Sequence, residues 1–241
     1  MTDVPHAEII IEFKWHMGDD PFCDPYPISN DLVPQYSFLC NTVTGVDTAG
    51  QITAYGAAQL GSQFCTCVYF VLIVKSWARL IQWDRTGAII TSPIYYNDSN
   101  ELAEFFHQYH KVSPELHSVD TTVTMPTPEE VYLARICLEV DEKAVLLKIT
   151  VPSHNLQMEC IVHVPIASHY TPPGCTTCGF EAYDVQRCRN VYVEGMWRVD
   201  LPGIEREGET YKLLHAAGVR NLAVCSAAGD ISNHTTVTHH F

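Results

Sequence analysis

The chain has 241 residues, 46% hydrophobic and 17% charged, enough for two modest domains or one large one. Fourteen basic against 28 acidic residues give a formal net charge of -14, which disfavours nucleic-acid backbones and anionic membrane surfaces as partners. No basic start followed by an apolar stretch opens the sequence, and its longest apolar run, residues 68–74 (VYFVLIV), is far short of the roughly 18 residues of a membrane span. These features lead us to expect an intracellular protein, cytoplasmic or nuclear, neither secreted nor membrane-bound.

Residues 7–15 (AEIIIEFKW) combine a β-branched run with alternation and predict a strand. A Pro- and Asp-rich loop follows over 18–34. Residues 51–64 place Ile52, Tyr55 and Gln59 about a turn apart, as in a helix. Strands are then predicted over 67–74, 78–83 and 88–91, with Asp84-Arg85-Thr86-Gly87 supplying the turn chemistry of a hairpin. Cys65 and Cys67 share one face of the first of these and read as packing residues. A helix is expected from near Asp98, whose spacing to Glu101 suits a capping box, with Leu102, Phe105, Phe106 and Tyr109 on one face. Thr127-Pro128-Glu129-Glu130 marks a second helix, to about Leu138: a cap, a proline at the first position and a glutamate three residues after the cap. The Thr- and Pro-rich stretch between Val119 and Pro128 reads as a junction.

Beyond it, strands are expected over 145–151, 159–164, 179–183 and 190–193. A helix ending near Gly218 follows, then strands over 221–225 and 235–241. Lys148 falls in a V-L-L-K string similar to a kinase V-A-I-K strand. No helix follows closely, however, and it reads as an exposed strand residue. Cys175 and Cys178 are spaced C-x-x-C, with Cys188 and His169 nearby in sequence. This is half of a zinc site without a second pair, so free thiols are expected.

Two constellations carry candidate chemistry. Glu12 and Lys14 form an E-x-K triplet on the first strand, and the helix containing Gln51 and Gln59 comes next. The arrangement is similar to the latter half of a restriction-endonuclease-like fold. The likeness implies Glu12 as a magnesium ligand and Lys14, not itself a ligand, as the group that orients or activates water. That fold needs a second carboxylate from a preceding strand, for which Asp3 is the only nearby candidate. The triplet is also a common surface pattern.

The second constellation runs through residues 189–214 (RNVYVEGMWRVDLPGIEREGETYKLL), a strand, turn and helix built like the phosphate-anchoring part of a protein kinase. Together with the strings EIIIEFKWHMGDDPF, GQITAYGAAQLGSQF, ARLIQWDRTG, DTTVTMPTPEE and WRVDLPGIEREGETYKLLHAAGVRN, and the closing AAGDISNHTTVTHHF, it gives a chain that resembles the fungal-type protein kinases over nearly its whole length. The resemblance implies a phosphate-binding lysine where this sequence has Glu194. It implies a partner glutamate at Glu207, with Glu209 as the alternative, and a degenerate glycine-rich loop at Gly174 and Gly179, with Thr176 in place of the middle glycine. Two glycines in a surface loop are the simpler reading of the last pair. A carboxylate at Glu194 repels phosphate: two like charges about 4 Å apart cost roughly 4 kcal/mol at an effective dielectric near 20.

The expected fold class is α+β: a partial restriction-endonuclease-like α/β module over 1–118, a linker and helix over 119–143, and an incomplete, β-rich module like a kinase small lobe over 144–241. No histidine-arginine-aspartate loop appears by Phe241. A pseudokinase-like interaction module without phosphotransfer is therefore expected, with an unidentified protein partner and a tendency to self-associate. No cofactor is expected; ATP and Mg would bind if the family activity is retained. Two alternatives stand beside it: the N-terminal part of an active ATP-dependent serine/threonine protein kinase whose large lobe lies outside this chain, and a remnant of a Mg-dependent nuclease. Trp197 and Tyr211 read equally well as core aromatics, and Glu205 and Glu209 as a solvated helix face.

Overall fold

The computed structural model describes residues 6–24, 37–114, 116–153, 157–163, 177–198 and 200–241. Over these residues the protein is α+β, with two β-sheets and four α-helices. It divides into two compact units. Of the described residues, the first takes those up to Val119 together with Thr236–Phe241, and the second takes those of 120–163 and 177–235.

The first unit carries a four-stranded sheet in the order β1 (Ile9–Phe13), β2 (Val68–Ile73), β3 (Ala78–Trp83), β4 (Ala88–Ile90). β1 and β2 are parallel, which requires a long crossover, and helix α1 (Val43–Ser62) supplies it. The other pairings are antiparallel. Ile52 of α1 is fully buried against Ile10, Phe70, Leu72 and Ile81, and Tyr55 stacks on Phe70. Gly56 lets α1 approach β3, since a Cβ there would lie 3.1 Å from the Trp83 ring. The opposite face of β2 presents Tyr69 to Phe105 and Tyr109 of α2 (Glu101–Lys111).

α1 begins eight residues before the predicted start, capped by Thr42, whose side chain accepts from the Gly45 N–H. The early turns contain two glycines and several β-branched residues with poor helix propensity. Burial of Gly45 and Thr48 holds them helical. At α2 the expected capping box does not form: the cap is Asn100, without a side-chain cap bond, and Glu101 instead accepts from the Ser99 hydroxyl. Cys67 is buried as expected, while Cys65 lies ahead of β2 in an isolated bridge to Val119.

The second unit is a five-stranded antiparallel sheet in sequential order: β5 (Val123–Thr124), β6 (Leu146–Val151), β7 (Met158–His163), β8 (Thr177–Asp184), β9 (Arg189–Met196). α3 (Pro128–Leu138) covers one face, burying Ala134 against Leu146, Ile161 and Tyr183. Its capping box is complete: Thr127 accepts from the Glu130 N–H and Glu130 accepts from the Thr127 N–H. The Asn190 side-chain amide donates to the Cys137 carbonyl and ties the end of α3 to β9. α4 (Glu207–Ala216) buries none of its residues.

Two strand expectations fail. Residues 221–225 form no strand, and Asn221 at their start has a φ of 61°, which an extended ladder does not accommodate. Residues 235–241 form no strand either. They make a 3-10 turn, Thr238–His240, held by the Asp84 carboxylate, which accepts from the N–H groups of Val237 and Thr238.

Candidate functional site

In the second unit the structure brings two of the predicted residues together and leaves a third apart. Gly179 and Glu194 are direct cross-strand partners in the β8–β9 hairpin. Gly179 lies within the strand, and the Tyr192 ring lies over it; a Cβ at Gly179 would fall 1.7 Å from the Tyr192 hydroxyl oxygen. An aromatic ring covering a strand glycine is a packing arrangement that stabilises an otherwise weak strand position. Glu194 and Glu181 point to the same exposed face of the hairpin. Glu207 opens α4 and is exposed, with no hydrogen bond or ion pair among the described residues. The alternative, Glu209, pairs with Lys212 at 2.7 Å on the solvent side of that helix. Gly174 lies outside the described residues, as do Cys175 and His169. Cys178 sits in β8 and Cys188 in the following turn.

Beside Gly179 an open pocket of about 210 Å³ is lined by Leu138, Val140, His163, Gly179, Phe180 and Glu181. This is smaller than the roughly 300–1,000 Å³ of ordinary ligand pockets. Its lining holds one carboxylate and no lysine or arginine, the groups that bind phosphate.

A strand lysine that does meet a helix glutamate is Lys148. Its side chain is 17% exposed and its ammonium lies 3.2 Å from Glu130 and 4.0 Å from Glu159, so the expectation of an exposed strand residue is corrected. The cause is α3, which passes over β6 and lays its first turn on this lysine. Burial raises the Glu130 pKa, but the Thr127 N–H and Lys148 outweigh it and hold the carboxyl below its ordinary value. The helix precedes its strand in sequence, the reverse of the kinase order in which the lysine strand comes first.

In the first unit the E-x-K triplet is more than a surface pattern. Lys14 Nζ lies 2.9 Å from Glu12 Oε1 and donates to Gln51 Oε1 at 2.7 Å. The Gln51 amide donates to Glu12 Oε1 and to the Tyr55 hydroxyl, each at 3.1 Å. Strand alternation puts Glu12 and Lys14 on the α1 side of the sheet, and one helical turn separates Gln51 from Tyr55. Gln51 is thus brought into the site through the β1–α1 packing, and Tyr55 with it. The sequence pattern already grouped the Gln51 helix with the triplet, whereas Tyr55 was signalled only by its four-residue spacing from Gln51. Gln59, one turn further on again from Tyr55, instead donates to the Ala7 and Glu8 carbonyls and anchors the start of β1.

The group does not fit a magnesium ion by itself. It offers one carboxylate, already engaged by Lys14 and Gln51, where a hard cation takes about six oxygens, commonly from one or two carboxylates plus water and substrate. Asp3 lies outside the described residues. Among the described residues no three His, Cys, Asp or Glu side chains converge as metal ligands, and no helix is long and apolar enough to cross a membrane.

Comparison with family models, with curated proteins and with solved structures returned no match for this chain.

Proposed function

We propose that this protein is a fungal-type protein kinase relative whose second unit, related to a kinase small lobe, serves as a protein-interaction module and does not transfer phosphate. The observation that carries this reading is Glu194. At the position where the resemblance requires a phosphate-binding lysine, a carboxylate stands on the exposed face of β9, with Glu181 on the same face. The repulsion itself is modest at an exposed position, about 1 kcal/mol at 4 Å in water. The larger loss is the missing cation, since the adjacent pocket supplies no lysine or arginine in its place. The five-stranded antiparallel sheet supports this reading, whereas the packed helix α3 does not, because it precedes β6 to β9 and α4, which follows the Glu194 strand, buries none of its residues.

Isothermal titration of the purified chain with ATP, with and without Mg, tests the reading. The expected result is no binding up to millimolar nucleotide. Nanomolar or low-micromolar affinity would overturn it and favour the active-kinase alternative. Glu194→Lys is expected to introduce measurable ATP binding if the hairpin and α4 retain a small-lobe geometry.

A second reading, a Mg-dependent nuclease remnant, draws on the convergence of Glu12, Lys14, Gln51 and Tyr55. Its test is DNA cleavage in Mg by the parent and by Glu12→Ala. Equal cleavage by both discards it.

A further inference from the structure

β1 is the outermost strand of the first sheet; among the described residues no strand pairs with its outer edge. The Lys14 N–H donates to the Ile73 carbonyl, which fixes the alternation: Ile10, Glu12 and Lys14 turn their backbone groups toward β2. Ile9, Ile11 and Phe13 therefore turn theirs outward, a row of donors and acceptors ready for another strand. The side chains beside that edge are large and apolar. Ile11 is 41% exposed, Phe13 70% and Trp15 73%. On the other face of the same edge stand Glu12 and Lys14, an acid and a base two residues apart.

This pattern is self-complementary. If two copies of β1, each extended through Lys14 and the bend at Trp15 beyond its end at Phe13, run antiparallel about a two-fold axis at Phe13, Phe13 meets Phe13 of the second copy as a hydrogen-bonded pair, and Ile11 meets Trp15. Glu12 then stands opposite Lys14, and Lys14 opposite Glu12, so four charges alternate across the junction. Cross-strand neighbours in an antiparallel pair lie close enough for both the apolar and the charged contacts. Shifting the axis to Ile11 sets Lys14 against Glu8 but Glu12 against Ile10, so of the two registers only the one centred on Phe13 gives both Glu12 and Lys14 an opposite charge.

We propose that the free edge of β1 is a homodimer interface, formed with a second copy of this chain in that register. The proposal concerns the first unit alone and stands whether or not the second unit binds nucleotide.

Sedimentation velocity of the full chain in reducing buffer, over a concentration series, provides the test. The parent is expected to dimerise. Glu12→Lys and Lys14→Glu alone should each weaken the dimer about tenfold, because each reversal spoils two symmetry-related pairs. The double reversal, which restores opposite charges both within and between chains, should recover the parent affinity. A parent that stays monomeric at all concentrations overturns the proposal. So does a dimer that ignores the single reversals, or one that the double reversal fails to rescue. Should a charge reversal unfold the chain, as judged by circular dichroism, Phe13→Asp at the exposed centre decides alone: a surviving dimer overturns the interface.

Discussion

The Asp84 carboxylate accepts from the N–H groups of Thr86, Gly87, Val237 and Thr238 and from the hydroxyls of Thr86 and Thr238. Burial raises its pKa, but the bonds from Thr238, Thr86 and Val237 outweigh burial and hold it below its ordinary 3.8. A group depressed in the folded state contributes stability that is present above the unfolded value and lost as pH falls through the folded one. Asp84→Asn should therefore cost about 2 kcal/mol near neutral pH, where several donors lose a charged acceptor. The gap between parent and variant should close below pH 3.8, as urea unfolding across pH would show. Limited proteolysis of the variant should release the C-terminal residues sooner. Arg79 presents a sharper case. Its guanidinium is 3% exposed, pairs with Asp20 at 2.7 Å and Asp24 at 2.9 Å, and donates to the Phe22 and Thr91 carbonyls. Arg79→Met leaves the buried Asp20 without its cation and should destabilise the first unit by about 3–5 kcal/mol, measurable as a lowered urea midpoint.

At the scale of elements, α3 shows what a sequence makes legible. Thr127, Pro128 and Glu130 encode its start by local chemistry alone, and the observed box matches them. Thr127→Ala should cost about 1 kcal/mol in equilibrium unfolding, whereas Lys148→Met should cost less, since a partly solvated ion pair contributes little. The antiparallel strands β3, β4 and β6 to β9 were readable from alternation and from turns such as Asp84 to Gly87, but β5 was not, since it lies in the stretch read as a junction. Three features depended on contacts distant in sequence and were not. The first turns of α1 have weak propensity and are held by burial. The segment 235–241 has strand-like residues, but Asp84, some 150 positions earlier, draws its backbone into a turn. Lys148 looked exposed because its partner Glu130 lies on a helix that periodicity alone cannot place over β6. The same holds for the candidate site: Glu12 and Lys14 were visible as a triplet, yet their bonds to Gln51 exist only because α1 crosses back over β1.

For the molecule as a whole, charge and apolar surface oppose each other. Each chain carries a net charge of -14, so two copies repel at long range, while Ile11, Phe13 and Trp15 favour leaving water. The two contributions respond differently to salt. The screening length falls from about 10 Å at 0.1 M to about 3 Å at 1 M, which suppresses the net repulsion. The Glu12 to Lys14 pairs across the proposed junction are screened too, but they involve four charges, against an excess of 14 acidic groups on each chain. Apolar burial is not weakened by sodium chloride. Dimerisation through β1 should therefore strengthen as sodium chloride rises from 0.1 to about 1 M, with the weight-average sedimentation coefficient increasing at fixed protein concentration. Phe13→Asp should abolish that response while leaving the circular dichroism spectrum unchanged. A dimer that instead dissociates in salt would mean that the charged pairs, and not the apolar stripe, hold the two copies together.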